Sequence, residues 1–260
     1  MKPRAWLRLR STPHYRRDAF TCGLERLGYD VVVDGRRIEP CDVLVLWNRH
    51  RRDNDLAARF EAANQPVIIA ENAYISPSWS KKWFALALNH HLGAGSWRSD
   101  GPERWRSFGI KLQPWRGSGK HVLVLCQRGI GEPGVAMSGH WPRDAAGLLK
   151  KMTERRLRMR HHPGMARQMR SLEGDLDGAH CCVTWASGAA IKALAAGYPV
   201  FYGLRNWVGA GAAVRFLAGC DIEKPRMDDA ARLTMFERLA WCQWNVDEIE
   251  SGEAFAWLLQ

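Results

Sequence analysis

The segment His180-Cys-Cys-Val-Thr-Trp-Ala-Ser-Gly-Ala-Ala-Ile-Lys-Ala-Leu-Ala-Ala-Gly-Tyr-Pro-Val-Phe201 is the part of the chain whose residue types and spacing most directly imply chemistry. It predicts an apolar strand over 181–184, a small-residue turn over 185–188, an Ala-rich helix, and a second strand beyond Gly197. A helix that opens at the carboxyl end of a strand presents free N–H groups and the positive end of its dipole, which together seat a phosphate. Thr184 and Ser187 add hydroxyl donors, and Gly188 lets an anion approach the backbone closely. An α/β protein also carries such units without any ligand, so the neighbouring motifs decide between the two readings.

Those motifs fall on strand ends. Gln127-Arg128 follows a predicted strand over 121–126, and Arg160-His161-His162-Pro163-Gly164 follows one over 157–161. Glu71 closes a buried strand over 66–70. The pattern that positions them is strand-helix-strand alternation: a helix over 12–27, strands over 30–33 and 42–47, and a helix over 54–63. After a Gly- and Trp-rich stretch holding one short helix, the alternation restarts with helices near 141–154 and 165–172. Such alternation predicts parallel sheets with crossover helices. Pro114-Trp-Arg-Gly-Ser-Gly-Lys120 reads as the linker between the halves, and residues 228–260 read as helical. The expected class is α/β: two Rossmann-like domains, 1–116 and 117–227, facing a cleft. The segment 228–260 is expected to be a C-terminal helical segment that packs across both domains and closes back on the first. Ligands of open parallel sheets bind outside the carboxyl ends of the strands, so both halves would offer loops to one cleft.

Composition restricts the classes. The 260 residues suffice for a real core, and no apolar run approaches the roughly 18 residues of a membrane span. No signal peptide is visible, and seven cysteines without paired spacing suit a reducing cytoplasm. No Cys/His cluster has zinc spacing. The formal net charge of +11, spread along the chain, and the 13 tryptophans favour a polyanionic partner, nucleic acid above all. A basic surface that merely keeps the protein in solution is the alternative.

The ordered set Gln127-Arg128, Arg160-His161-His162-Pro163-Gly164, Trp185-Ala-Ser-Gly188 and Ala193-Leu-Ala-Ala-Gly197-Tyr-Pro-Val200 resembles the donor half of GT-B glycosyltransferases. It is most similar to capsule-type sugar transferases, whose pattern is Arg-x-His-Pro, a Ser-rich turn, an Ala-Leu helix and Gly-x-Pro-Val. The first half, with Leu46-Trp-Asn-Arg49, Phe60-Glu-Ala62, Ala70-Glu-Asn-Ala-Tyr74 and Asn89-His-His-Leu-Gly-Ala-Gly-Ser-Trp97, resembles phage-encoded GT-B proteins. Some of those modify hydroxymethylated pyrimidines in DNA. The resemblance covers most of the chain. It departs at Lys192, where many GT-B enzymes carry a glutamate for the ribose; a lysine there can reach a phosphate instead.

The resemblance implies transfer of a sugar from a nucleotide-sugar donor, a UDP-sugar first, to a modified pyrimidine in double-stranded DNA, in the cytoplasm of an infected bacterial host. Transfer to a surface polysaccharide, or nucleic-acid binding without catalysis, are the alternatives. A nucleotide diphosphate leaving group needs its growing charge stabilised. The implied means are the N–H groups near Ser187 and Gly188, with Arg128 and Arg160 as charge partners, and no cofactor or metal is required. His161 or His162 donates to a phosphate or the sugar, or else braces the turn. Asp53-Asn-Asp55 reads as a helix cap. An inverting transfer needs a base to take the acceptor proton, and Glu71 is the candidate, with Asp18 and His90 the alternatives. A structural ion pair or a helix cap is the rival role for Glu71, and a salt bridge to Arg16 or Arg17 the rival role for Asp18. If a DNA base is the acceptor it must leave the stack. Trp79 and Trp97 then stack or wedge, and Arg49, Arg51, Arg52, Lys81 and Lys82 hold phosphates. Core packing and a solvated charged face are the competing roles for these tryptophans and cations.

Overall fold

Short, fully buried apolar strands organise the molecule. A computed structural model describes residues 2–33, 41–80, 82–91, 94–165 and 170–260. The first sheet holds β1 (Arg4–Arg8), β2 (Asp30–Val33), β3 (Val43–Trp47), β4 (Val67–Asn72) and β5 (Trp83–Leu88), with α1 (Arg17–Arg26) and α2 (Asn54–Ala62) as crossovers. After α3 (Glu103–Ser107), the second sheet is built from β6 (His121–Leu125), β7 (Arg156–Arg160), β8 (Ala179–Thr184), β9 (Val200–Tyr202) and β10 (Val214–Arg215). Its helices are α4 (Trp141–Leu149), α5 (Leu172–Leu176) and α6 (Gly188–Ala195). The second sheet is parallel throughout, in the order β10-β9-β8-β6-β7.

β6 and β8 are buried at every residue, as central parallel strands covered on both faces must be. Their side chains alternate between two layers. Val122 and Val124 pack with Leu149 and Phe201 on one face, while Leu123 and Leu125 join the larger core on the other. β3 divides in the same way, Leu44 and Leu46 packing with Phe60, and Val43 and Val45 facing the larger core. That larger core is continuous from Phe20 and Phe84 through Phe236 and Trp244 to Ile191 and Leu194, so the two sheets share apolar packing.

Three strands depart from the sequence expectation. β1 lies between β2 and β3, although its five residues carry an arginine at each end. β5, composed of Trp, Phe, Ala and Leu, runs antiparallel to β4, so the first sheet is mixed. The segment 228–260 is not one helix. α7 (Asp229–Ala240) is followed by β11 (Gln243–Asn245), which pairs antiparallel with β5, and then by α8 (Val246–Glu250) and α9 (Glu253–Leu258). The chain turns from β11 into α8 through a capping box: Asn245 accepts from the Glu248 N–H while the Glu248 carboxylate accepts from the Asn245 N–H. α8 lies on α1 so closely that a Cβ at Gly23 would sit 1.9 Å from the Ile249 carbonyl oxygen. The predicted helix over 12–27 is a 3-10 turn (Pro13–Tyr15) and α1, separated by left-handed Arg16. The helix expected over 165–172 falls partly outside the described residues; Pro163–Met165 is a 3-10 turn and α5 begins at Leu172. The supposed linker is pinned to the end of α6, where Gln113 N–H donates to Ala195 O and Arg116 N–H to Gly197 O.

Candidate active site

Strand order reverses between β1 and β3 in the first sheet and between β6 and β8 in the second. Crevices open at the carboxyl ends of strands at such switch points. A cavity of about 450 Å³ lies there, lined by Leu125 to Arg128 and Ser187 to Ala189 from the second sheet's loops. Asn48 and Glu71 to Tyr74, from the first sheet, complete it.

The turn into α6 is assembled by side chains that occupy its backbone donors. Buried Thr184 donates from Oγ1 to the Leu125 carbonyl at 3.3 Å and accepts from the Ser187 N–H at 3.0 Å. Ser187 is the N-cap of α6 and accepts from the Ala189 N–H. Gln127 reaches across from the end of β6 to accept from the Ala186 N–H at 2.8 Å. Thr184 therefore shapes the turn and does not line the cavity, a correction to its expected role as a phosphate donor. Its hydroxyl is consumed because a buried hydroxyl must be satisfied internally. Gly188, Ser187 and Lys192 do line the cavity. Exposed Lys192 places Nζ 5.4 Å from the ring of Trp79, so the two halves meet at this rim.

The Arg160 to Gly164 segment forms a further part of the wall. Arg160 lines it, but its guanidinium pairs with Asp175 at 2.5 Å and donates to the Arg170 carbonyl at 2.9 Å. Its charge is offset by that carboxylate, so Arg160 shapes the loop more than it offers a free cation. His162 Nδ1 accepts from the Gly164 N–H at 3.0 Å, which assigns the neutral ring's proton to Nε2. Burial, reinforced by the charge of Arg128, holds the His162 pKa below the ordinary histidine value. His161 and exposed Arg128 complete this wall. Arg128 and Lys192 are thus the exposed cations on the cavity lining.

Facing them, Glu71 lies on β4 at 9% exposure and accepts a hydrogen bond from the Tyr74 hydroxyl. The Tyr74 ring lies against the start of α6, where a Cβ at Gly188 would be 3.4 Å from Tyr74 Cδ1. His90 does not line the cavity; its Nδ1 is bonded to buried Glu132. His91 does line it, at 2% exposure. Glu132 and the structural use of Gln127 are what sequence reasoning missed. A lone glutamate between glycines carries no periodic or motif signal.

Of the residues expected to touch nucleic acid, two are redirected inward. Arg49 is 4% exposed and pairs with Glu61 while donating to the Asn89 carbonyl, because a buried guanidinium needs partners for its donors. Trp97 is buried against α7, with Nε1 donating to the Arg238 carbonyl at 2.9 Å. Neither is presented to a polyanion. Arg51, Arg52, Lys82 and Trp79 are exposed, Arg52 standing 3.6 Å from Asp53. Lys81 lies outside the described residues. Among the described residues no helix is long and apolar enough to cross a membrane, and no three His, Cys, Asp or Glu side chains group as metal ligands do.

No family model and no curated protein matches the chain. Two solved structures of Thermosulfurimonas dismutans KpsC do. The beta Kdo 2,4 transferase is 13% identical with a TM-score of 0.56, over 92% of this chain and 90% of that one. The beta Kdo 2,7 transferase is 12% identical with a TM-score of 0.56, over 97% of this chain and 99% of that one. At this identity the likeness is one of fold, and the chain shares the two-sheet α/β fold of these glycosyltransferases.

Proposed function

We propose that this protein is a glycosyltransferase that moves a sugar from a nucleotide-activated donor to a saccharide acceptor. The observation that carries the reading is the cavity at the two switch points, with a helix N-terminus and two exposed cations on one wall and a buried carboxylate on the other. In this reading Arg128 and Lys192 hold the donor phosphates beside the positive end of the α6 dipole, the turn's N–H groups at Ala186, Ser187 and Ala189 being taken by side chains, and neutral His162 donates from Nε2. The acceptor oxygen attacks the anomeric carbon as its bond to the phosphate oxygen breaks. Glu71 takes the acceptor proton and the leaving phosphate keeps the electron pair, its charge met by the cationic wall. A glycan acceptor is favoured because the fold is that of two Kdo transferases. It is favoured also because Arg49 and Trp97 are withdrawn from any nucleic-acid surface. The net charge of +11, with Arg51, Arg52 and Lys82 exposed, supports the second reading, transfer to a modified pyrimidine in duplex DNA.

A panel of labelled nucleotide sugars, nucleotide-activated Kdo included, offered with oligosaccharides or with duplex DNA bearing 5-hydroxymethylpyrimidines separates these. Label on oligosaccharide is the expected result. Label on modified DNA alone moves the acceptor to nucleic acid. Absence of both transfer and donor binding overturns the enzyme reading.

A further inference from the structure

Residues 127–136 leave β6 without forming helix or strand, yet the segment is fastened on two sides. On its own half, Gln127 accepts from the Ala186 N–H and the Val135 carbonyl accepts from Trp185 Nε1 at 2.7 Å. On the other side, Glu132 enters the first half and is 4% exposed. His90 Nδ1 donates to its Oε1, and His91 Nδ1 stands 3.7 Å from its Oε2. His91 Nε2 meets the Ile130 carbonyl at 3.0 Å. A ring with a carboxylate at one nitrogen and a carbonyl at the other satisfies both contacts when both nitrogens carry protons. Gly131 leaves no room between loop and ring: its φ is 138° and a Cβ would lie 2.5 Å from His91 Cε1. Arg49, buried beside Glu61, holds the Asn89 carbonyl and so sets the start of the two-histidine segment.

We propose that Glu132 is a positioning residue: clasped by His90 and His91, it fixes the loop that carries Arg128 against the first half and so completes the donor wall of the cavity. Glu132 touches no reacting atom in this scheme. The part played by Arg128 toward a phosphate rests on the glycosyltransferase reading, whereas the clasp stands on the contacts alone. The charged and titratable groups around His91 are Glu132, Glu71 and His50, with His90 on the other carboxylate oxygen. Burial lowers the His91 pKa, but Glu132 beside it and the charge of Glu71 outweigh that and raise it. The clasp therefore weakens as pH rises through the His91 titration.

The test compares the full-length wild type with Glu132→Gln and Gly131→Ala, by amide hydrogen exchange and donor kinetics. The Val135 and Ala136 N–H groups, which donate to the Glu132 carbonyl, report the loop. Faster exchange at these amides in both variants, with β6 and β8 still protected, is the expected result. Donor KM rises and kcat falls, so that kcat/KM for the donor drops by about 10²-fold, the scale of an ångström-level misplacement. The rise of wild-type donor KM with pH flattens in Glu132→Gln. Gly131→Ala opens the clasp without removing a charge, so unchanged exchange in that variant overturns the proposal even if Glu132→Gln fails to fold. Unchanged donor KM in a folded Glu132→Gln overturns it too. If the wild type turns over no nucleotide sugar, the glycosyltransferase reading fails alone, and loop exchange still decides the clasp.

Discussion

Glu71 and Tyr74 sit three residues apart at the end of β4, and the strand's last pleat followed by a turn lets the phenol fold back over the carboxylate. Glu71 faces the cavity while Tyr74 lies against the start of α6, so one hydroxyl ties the acceptor-side carboxylate to the donor-side helix. Under the proposed mechanism, Glu71→Gln removes the proton acceptor and lowers kcat by about 10²–10⁴-fold. Tyr74→Phe keeps the ring and its packing but releases one carboxylate oxygen. A hydrogen bond to a charged group contributes about 1.5–3 kcal/mol, so kcat falls by about 10–100-fold while donor KM stays near the wild-type value. Steady-state kinetics of both variants check this. A Tyr74→Phe enzyme with wild-type kcat assigns the tyrosine to packing alone.

At the scale of elements, α1 and α8 show how a tertiary contact reverses a local preference. Exchanging an interior helical glycine for alanine ordinarily stabilises a helix by about 0.4–1 kcal/mol. Gly23 is interior to α1, but the atom nearest its missing side chain is the Ile249 backbone carbonyl, which cannot rotate away, and the Phe255 ring lies 3.0 Å off. Gly23→Ala is therefore expected to destabilise the protein by about 1–3 kcal/mol, the range for overpacking a core. Chemical denaturation measures it, and a stabilised variant contradicts the close approach of α8. The same contact places the two helices after β11: α8 and α9 cover α1, and Phe255 packs edge-on to Phe20.

For the molecule as a whole, the contacts that join the two sheets include a buried charge cluster, and this makes stability depend on pH. Burial raises the Glu132 pKa, yet the hydrogen bond from His90 and the His91 ring 3.7 Å from the other oxygen outweigh it and hold the carboxyl at about 2, against 4.5 for the free group. A depressed carboxyl contributes stability that is present above its unfolded pKa and lost as pH falls toward the folded one. His91 moves the other way: its raised pKa contributes stability that is full below about 6.5 and lost as pH rises through the folded value. The two contributions overlap between about pH 4.5 and 6.5. Tm measured across pH 3 to 9 is expected to peak in that window, all else in the protein titrating equally in both forms, and Glu132→Gln flattens the profile around it. A difference between wild type and variant that does not vary with pH removes the charge pairing from the account.

Local pattern was sufficient for the parallel core, because β3, β4, β6 and β8 are predominantly apolar, buried runs and α6 opens on a small-residue turn capped by Ser187. The same reading brought Glu71, Arg128, Arg160, His161, His162, Ser187 and Gly188 to strand ends and Lys192 to the middle of the following helix, and the folded chain gathers all eight on one cavity. It failed where partners are distant in sequence. β1 and β11 are short or charge-flanked and become strands by pairing with β2, β3 and β5. Arg49 and Trp97 look like surface contacts until Glu61, Asn89 and α7 claim them. Glu132 has no motif of its own, and its place is decided 42 residues away, by a histidine of the other sheet's half. Periodicity is a property of neighbours along the chain and is written in the sequence; burial of a charge depends on which residues arrive from elsewhere to neutralise it, and only the assembled structure decides that.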